Sequence, residues 1–324
     1  MNLVYILGNG FDKVFNLPTL YSEFYKYYLA QAPENEHVEK MKKHLEKHMY
    51  DTWADMEMGL GKYTSEISSY EELEADYHSL TMNIQAYLRE VSNDFLPSTE
   101  TASKFMIQFV RPWSFLLPGQ LREVASFVTN VSGSHVIDVI SLNYTYTLEK
   151  LFRTHNERFT LPYHYTSSET IRTVRHIHQS LDDDEVILGV NDISQIDNAA
   201  FHDNVSQNLL VKPVINSQLR TLIDEECLSI IGSADLFCVF GASIGETDSM
   251  WWKAIGDSLK RGKSRLIYYA FDKQVITYNN QKIGKLEQYT SLILKRCGLE
   301  SASNLADIRK RIYIGYKTKL FVLK

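Results

Sequence analysis

The chain has 324 residues, 34 Lys and Arg against 40 Asp and Glu, and a formal net charge of −6. That length suits one large or two modest domains, and the ordinary apolar and charged content excludes disorder or coiled coil as a general description. The acidic balance argues against broad nucleic-acid binding, which needs clustered Lys and Arg. Cys227, Cys238 and Cys297 are odd in number, far apart and without a CxxC pair. They fit a reducing cytoplasm and offer neither a disulfide framework nor a structural zinc site. No basic-then-apolar leader opens the chain, and no stretch approaches about eighteen consecutive apolar residues. The expectation is a cytoplasmic protein without a membrane partner.

Leu3 to Leu7 is an unbroken apolar run that stops at Gly8-Asn9-Gly10, the pattern of a strand buried on both faces of a parallel sheet. Glycines at a strand's carboxyl end permit a tight turn and a close ligand approach. A helix from Phe11 onward would aim free N–H groups at an anionic or strongly polar ligand. Pro18-Thr19 opens a helix over 20–31, which Ala32-Pro33-Glu34 breaks. Further helices are expected over 35–49, 70–93, 102–109 and 120–130, so that 34–130 holds no convincing strand. His135–Leu142 reads as a second buried strand and 145–154 as a helix. Strand-like runs follow at 170–177 and 185–188, then a polar loop from Gly189 to about Asp203 and a helix over 216–231. A strand at 235–240, a second glycine turn at Gly241, and strands at 264–271 and 312–323 complete the series.

Short apolar strands alternating with helices indicate a doubly wound, mainly parallel α/β sheet. In this division 1–33 and 131–324 form the α/β domain, and 34–130 is a large helical subdomain inserted after the first strand. Ligands of such sheets bind outside the carboxyl ends of the strands. That rule gathers Gly8 to Asp12, Asn143, His178 and Gly241 to Asp248 onto one edge.

Each of these stretches has two readings. The opening turn lacks the third glycine of the dinucleotide fingerprint, Lys13 standing there, and a tight turn with Asp12 serving the first helical turn explains it as well. A carboxylate at that point repels a pyrophosphate, so Asp12 favours ribose hydroxyls or a role behind the ligand. Asn143 offers a donor and an acceptor to a water or sugar hydroxyl, or simply caps the next helix. His176 and His178 at strand spacing put both rings on one side. One of them could serve as a base near neutrality, and both could be half-exposed strand residues. No carboxylate or cysteine cluster accompanies them, so no metal is expected. Gly241-x-Ser243-x-Gly245 superficially matches a nucleophile elbow, but no His follows residue 202 to complete a triad. Asp55 and Glu57, two apart, do not share a helix face, and their stretch reads as a solvated helix start around a buried Trp53.

Taken together these stretches resemble the AbiH family of bacterial abortive-infection proteins. The matching elements are ILGNGFD with LPT behind it, TWADMEMGL, SLNYTYTLEKLF, HIHQ followed by ILGVND, and FGASIGETDS, from residue 3 to about 249. That pattern in turn looks like a distant variant of the sirtuin-type, Rossmann-like nucleotide fold. Matched by position, the resemblance implies Asn143 and His178 as the catalytic pair, and Gly8, Gly10, Gly241 and Ser243 as nucleotide-contacting turns. Asn9, Phe11, Asp12, Tyr144 and Asp248 complete the expected binding set. Gln179 stands where both patterns have Gly, Phe11-Asp12 replaces small residues, and the zinc-binding cysteines are absent. Neither structural zinc nor protein deacetylation is therefore implied.

The activity implied is anti-phage. The protein would bind a nucleotide, with NAD as substrate, and hydrolyse its N-glycosidic bond, His178 acting as general base and Asn143 placing the water and the nicotinamide ribose. A metal-requiring nucleotide-dependent nuclease or hydrolase, and a non-catalytic phage sensor signalling to a partner, are the alternatives. A small nucleotide is the expected partner, a phage-derived trigger and a homo-oligomer stay open, and nucleic acid is not expected.

Overall fold

Alternate side chains of the first strand, Asn2–Leu7 (β1), enter two different cores. Leu3, Tyr5 and Leu7 go to one side and Val4 and Ile6 to the other, as a period-two strand buried on both faces requires. The computed structural model describes residues 1–131, 133–181, 186–271 and 278–323. Among these, β1 is joined by His135–Ser141 (β2), Tyr163–His164 (β3), Glu169–His176 (β4), Leu236–Phe240 (β5), Arg265–Ala270 (β6) and Ile312–Tyr316 (β7). The seven-stranded sheet runs β3-β4-β2-β1-β5-β6-β7. Every pairing is parallel except the short β3–β4 edge. Counted in chain order, the parallel strands lie 3-2-1-4-5-6, and the order reverses between β1 and β5. Crevices at the carboxyl ends of strands flanking such a reversal are where open α/β sheets bind ligands.

Helices Thr99–Phe109, Pro118–Asn130 and Thr147–His155 cover one face of the sheet, and Ile223–Gly232, Ser249–Lys260, Asn279–Arg296 and Leu305–Arg309 the other. A third core is separate. Helices Tyr21–Ala30, Glu36–His48, Met56–Tyr63 and Tyr70–Asp94 pack around Trp53 with Val186, Leu188, Val190, Phe201 and Leu210. The long helical stretch after β1 is thus shared between two cores, its last two helices lying on the sheet.

Four expected elements differ. Residues 186–188 form no strand, and Glu185 lies outside the described residues. Val186 and Leu188 are buried in the third core instead, and the Tyr144 and Tyr77 hydroxyls donate to the carbonyls of Ile187 and Leu188, each at 3.1 Å. A short apolar run does not reveal which core it enters. The helix expected over 216–231 is two helices, Lys212–Gln218 and Ile223–Gly232, parted where Arg220 and Leu222 take φ of 54° and 55°. The polar loop after Gly189 contains short 3-10 turns and leads into helix Asn204–Leu210. The last strand stops at Tyr316, and Lys317 and Phe321 at φ of 50° and 61° turn Leu320 and Phe321 into the core.

One irregularity lies within the sheet. β2 and β4 pair up to Ile137 and Ile171, after which Asp138 pairs with Thr173 and Arg172 is left over, a one-residue bulge. The Arg172 guanidinium clamps the fully buried Asp138 carboxylate at 2.9 and 2.6 Å.

At the sheet's reversal the two glycine turns touch backbone to backbone. Gly8 N–H donates to Phe240 O at 3.0 Å and Gly10 N–H to Gly241 O at 2.9 Å. A Cβ on Gly8 would lie 2.5 Å from Ala242 Cα, and one on Gly241, whose φ is +72°, would lie 2.4 Å from Phe11 N. Gly241→Ala combines left-handed backbone strain with a backbone collision, so we expect it to cost about 3 kcal/mol or more in urea denaturation. Gly262→Ala is the control: its φ is +100° but nothing surrounds its Cβ position, so only the strain of about 1–2 kcal/mol applies. Equal losses in the two variants would remove the close-packing explanation.

Candidate functional site

Above the paired glycine turns lies a cavity of about 340 Å³, formed by the carboxyl ends of β1, β2 and β5, the turn after β4, and the third core. Gly8, Asn9 and Asp12 line it from the first turn, Asn143, Tyr144 and Thr145 from the second strand's end, and Gly241, Ser243, Thr247 and Asp248 from the fifth's. His178 closes another side, and Tyr21, Asp55 and Glu57 reach in from the helical side. The sequence had gathered most of these on one sheet edge, and the structure brings them to one space.

Asn143 is held at both its backbone and its amide. Its Nδ2 donates to Gly8 O at 3.2 Å, and its N–H donates to Ser141 Oγ at 3.2 Å. Its carbonyl accepts from His176 Nδ1 at 2.7 Å, and His176 Nε2 in turn meets Glu149 Oε1 at 2.8 Å. With its Nδ2 committed, the amide presents its oxygen as the remaining acceptor. The two histidines thus part company: His176 braces Asn143 from behind, while His178 lines the cavity.

His178 is buried, and its Nδ1 has no partner among the described residues. Burial drives its pKa well below the ordinary histidine value, and the charges of Lys212 and His176 push the same way, so the ring is neutral and able to accept a proton. Asp12 is also buried. Its Oδ2 accepts from Thr145 Oγ1 at 2.7 Å, and its Oδ1 has no partner. Burial raises this carboxyl to about 6, the Thr147 and Thr145 hydroxyls acting against the rise.

On the helical side Asp55 caps helix Met56–Tyr63, accepting from the N–H groups of Glu57 and Met58 at 3.1 and 3.2 Å. Thr247 Oγ1 donates to the other Asp55 oxygen at 3.5 Å, joining the cap to the second glycine turn. Glu57 and Lys212 form a buried ion pair at 2.7 Å. Burial pushes Glu57 up to about 7 against the pull of Lys212, with Asp248 and Asp55 adding to the rise. Asp248 is raised as well, by burial first, with Lys212 opposing and Asp55 adding. Among the described residues the lining therefore holds four carboxyl groups and no Lys or Arg.

Two expected site residues fall elsewhere. Phe11 is fully buried among Phe15, Phe105, Phe240 and Phe321 in the sheet core. Gly10 does not line the cavity, because it packs against Gly241, whose Cα would be 2.6 Å from its Cβ. The residues that sequence reasoning passed over are Asp55, Glu57 and Lys212. Their signal was an Asp two before a Glu at a helix start beside Trp53: the first carboxylate caps the helix, which turns the second inward. Nothing in the sequence marked Lys212 as its partner. Among the described residues no cluster of three or more His, Cys, Asp or Glu is arranged to hold a metal ion.

A family profile described as bacteriophage abortive infection AbiH matches residues 4–270. The chain belongs to the AbiH family. Membership carries a role in abortive infection by bacteriophage. No curated protein matches the chain. The matched span contains every residue lining the cavity, so the carboxylate-rich site lies within the part that makes this chain an AbiH protein. Gln179, which stands in place of a glycine in the AbiH pattern, has φ of 59°, a conformation glycine adopts without strain. The turn after His178 is thus kept in the shape a glycine would take.

Two predictions follow from the buried charges of this AbiH protein. Asp12 is about 6 in the folded chain and 3.8 as a model carboxyl, so the folded state holds the extra proton between those values. Its ionisation therefore lowers stability as pH rises through that window, by up to about 3 kcal/mol above it. Asp12→Asn removes this pH-dependent cost, so the melting temperature of the variant minus that of the parent should grow from about pH 4 to about pH 7. A constant difference would show that Asp12 does not titrate there. Lys212→Met leaves the Glu57 carboxylate buried and unpaired. It should cost about 3–5 kcal/mol in urea denaturation near pH 8, and less near pH 5, where Glu57 is neutral.

Proposed function

We propose that the cavity binds a nucleotide, NAD foremost, and hydrolyses the bond between its ribose and nicotinamide, in the cytoplasm and in the service of abortive infection. The observation that carries this reading is the lining itself: four carboxyl groups, Asn143 and a neutral, unpartnered His178 converge with no cation among the described lining residues. Such a lining disfavours a diphosphate inside the cavity and favours a ribose whose anomeric carbon gains positive charge. The strand order 3-2-1-4-5-6 supports it, being the order of dinucleotide-binding doubly wound sheets. The Rossmann-like and sirtuin-like comparison of Asn143 and His178 belongs to the same reading. In it, the helices from Tyr21 to Asp94 act as a cap that keeps bulk water from the site.

In this mechanism the C1′–N bond breaks and its electron pair goes to the pyridinium nitrogen, so nicotinamide leaves neutral. Water oxygen bonds to C1′, and His178 takes the water's proton. The products are ADP-ribose, nicotinamide and one proton. The carboxylates stabilise the oxocarbenium-like centre through fixed charge in a water-poor site. The Asn143 oxygen accepts a hydrogen bond from the attacking water or a ribose hydroxyl. Asp12, with one unpartnered oxygen, accepts from the other hydroxyl. Depletion of NAD then stops host metabolism and phage growth together.

The test is release of free nicotinamide from NAD by purified protein, with and without phage lysate. His178→Ala and Asn143→Ala should each reduce release by about 100-fold or more. The parent rate should fall on acidification through about 6–7 as Asp12 and Glu57 are protonated, because His178 stays neutral across that range. No release under any condition, with phage protection surviving both substitutions, would overturn the reading in favour of a non-catalytic sensor.

A further inference from the structure

Next to the carboxylate cavity is a second one of about 280 Å³, and Asn9, Tyr21 and Ala54 line both. Its chemistry is different. Leu20, Met49, Tyr50 and Trp53 make up most of the remaining wall, and no ionisable acid, Lys, Arg or His lines it among the described residues. Trp53 is immobilised: its Nε1 donates to His44 Nδ1 at 3.1 Å, and a Cβ on Gly59 would lie 2.8 Å from its ring. Tyr21 stacks on Tyr25 with centroids 6.5 Å apart. The rim is the reverse, with Tyr50 78% and Leu20 37% exposed. A rigid aromatic wall beneath a rim of uncovered apolar side chains suits a flat ring that enters from solvent.

We infer that this second cavity is the ring subsite of the ligand whose ribose occupies the first, and that it selects a positively charged heteroaromatic ring over a neutral one. The inference rests on the nucleotide reading above, but concerns binding and not the reaction. Two attractions favour the cation. Aromatic faces attract positive charge, and the four carboxyl groups across the shared wall supply a negative field that no lining Lys or Arg cancels. A pyridinium joined to ribose meets both conditions. A neutral purine gains only the stacking. Loss of the ring's charge on cleavage then weakens its hold, so the site releases nicotinamide once the bond is broken.

The probes are 1-methylnicotinamide, a cation, and nicotinamide, its neutral counterpart. Neither has a glycosidic bond, so calorimetric titration of the full chain reads binding without turnover. The cation should bind about tenfold more tightly. Tyr50→Ala should weaken cation binding about threefold or more, and Tyr50→Phe should preserve it. Tyr50 is mostly exposed, so its truncation leaves the core intact. Equal affinity for the two probes, no binding of either, or no effect of Tyr50→Ala would overturn the inference. Nicotinamide release from NAD without a preference for the cation would sink the subsite and leave the reaction standing. A preference without release would do the opposite.

Discussion

Everything at the candidate site depends on two backbone turns approaching more closely than side chains would permit. Gly8 and Gly10 meet Gly241 and Ala242 across the reversal of the sheet, and hydrogen bonds from Gly8 and Gly10 lock the approach. Gly8 O then serves as the anchor for the Asn143 amide. Asn9 lies between the turns and the cap, its Nδ2 donating to Thr19 O at 2.6 Å while its Oδ1 accepts from the Thr19 hydroxyl. The turns therefore set the distance between sheet and cap as well as the floor of the cavity. A ligand-binding role for these glycines and a packing role are not alternatives, since the close approach is what shapes the cavity.

The second constraint is electrostatic. Asp12 and Glu57 are buried carboxyl groups, and burial raises both toward neutral pH. Charges buried this way reduce stability unless paired, and only Glu57 has a cation, Lys212. Lys212 is itself fixed by the crossing of Val190 and Val211, where its N–H donates to Val190 O at 2.9 Å. The cap is thus pinned at the point where the field of the cavity is generated. A site kept unfavourable in the absence of ligand is one in which positive charge is welcome, because each carboxylate gains a counter-charge that the fold withholds. That is the electrostatic case for preorganisation at the expense of stability.

The sheet was readable in the sequence because its strands are apolar, short and bounded by Gly, Asn or His. β1, β2, β4, β5 and β6 all lie where the alternation of strands and helices puts them. The edge they share was readable too, since the topological rule needs only their carboxyl ends. What local pattern could not show was long-range assignment. Val186 to Leu188 look like a strand because they are apolar, yet a cap core buries two of them. Phe11 looks like part of a binding turn because of its neighbours, yet the fold turns it into a cluster of phenylalanines from distant stretches. Glu57 looks solvated because nothing nearby compensates its charge, and its partner lies 155 residues further on. Charge pairing at that separation leaves no mark in periodicity.

The surplus residue in β4 sets a phase. Before it, Ile171 faces the core that contains Ile137; after it, Val174 does, three residues on where an unbroken strand would allow only an even step. The same phase puts His176 toward Glu149 and Asn143, and Arg175 toward Glu226, its partner at 2.7 Å. Removing that one residue would exchange the two sides, setting the guanidinium against Asn143 and the imidazole against the opposite helix. At this place in the chain, length is a stricter inheritance than identity. Drift can replace Arg172 with another side chain and leave the brace behind Asn143 in place, whereas a frame-preserving codon deletion would dismantle it while leaving every functional residue unchanged.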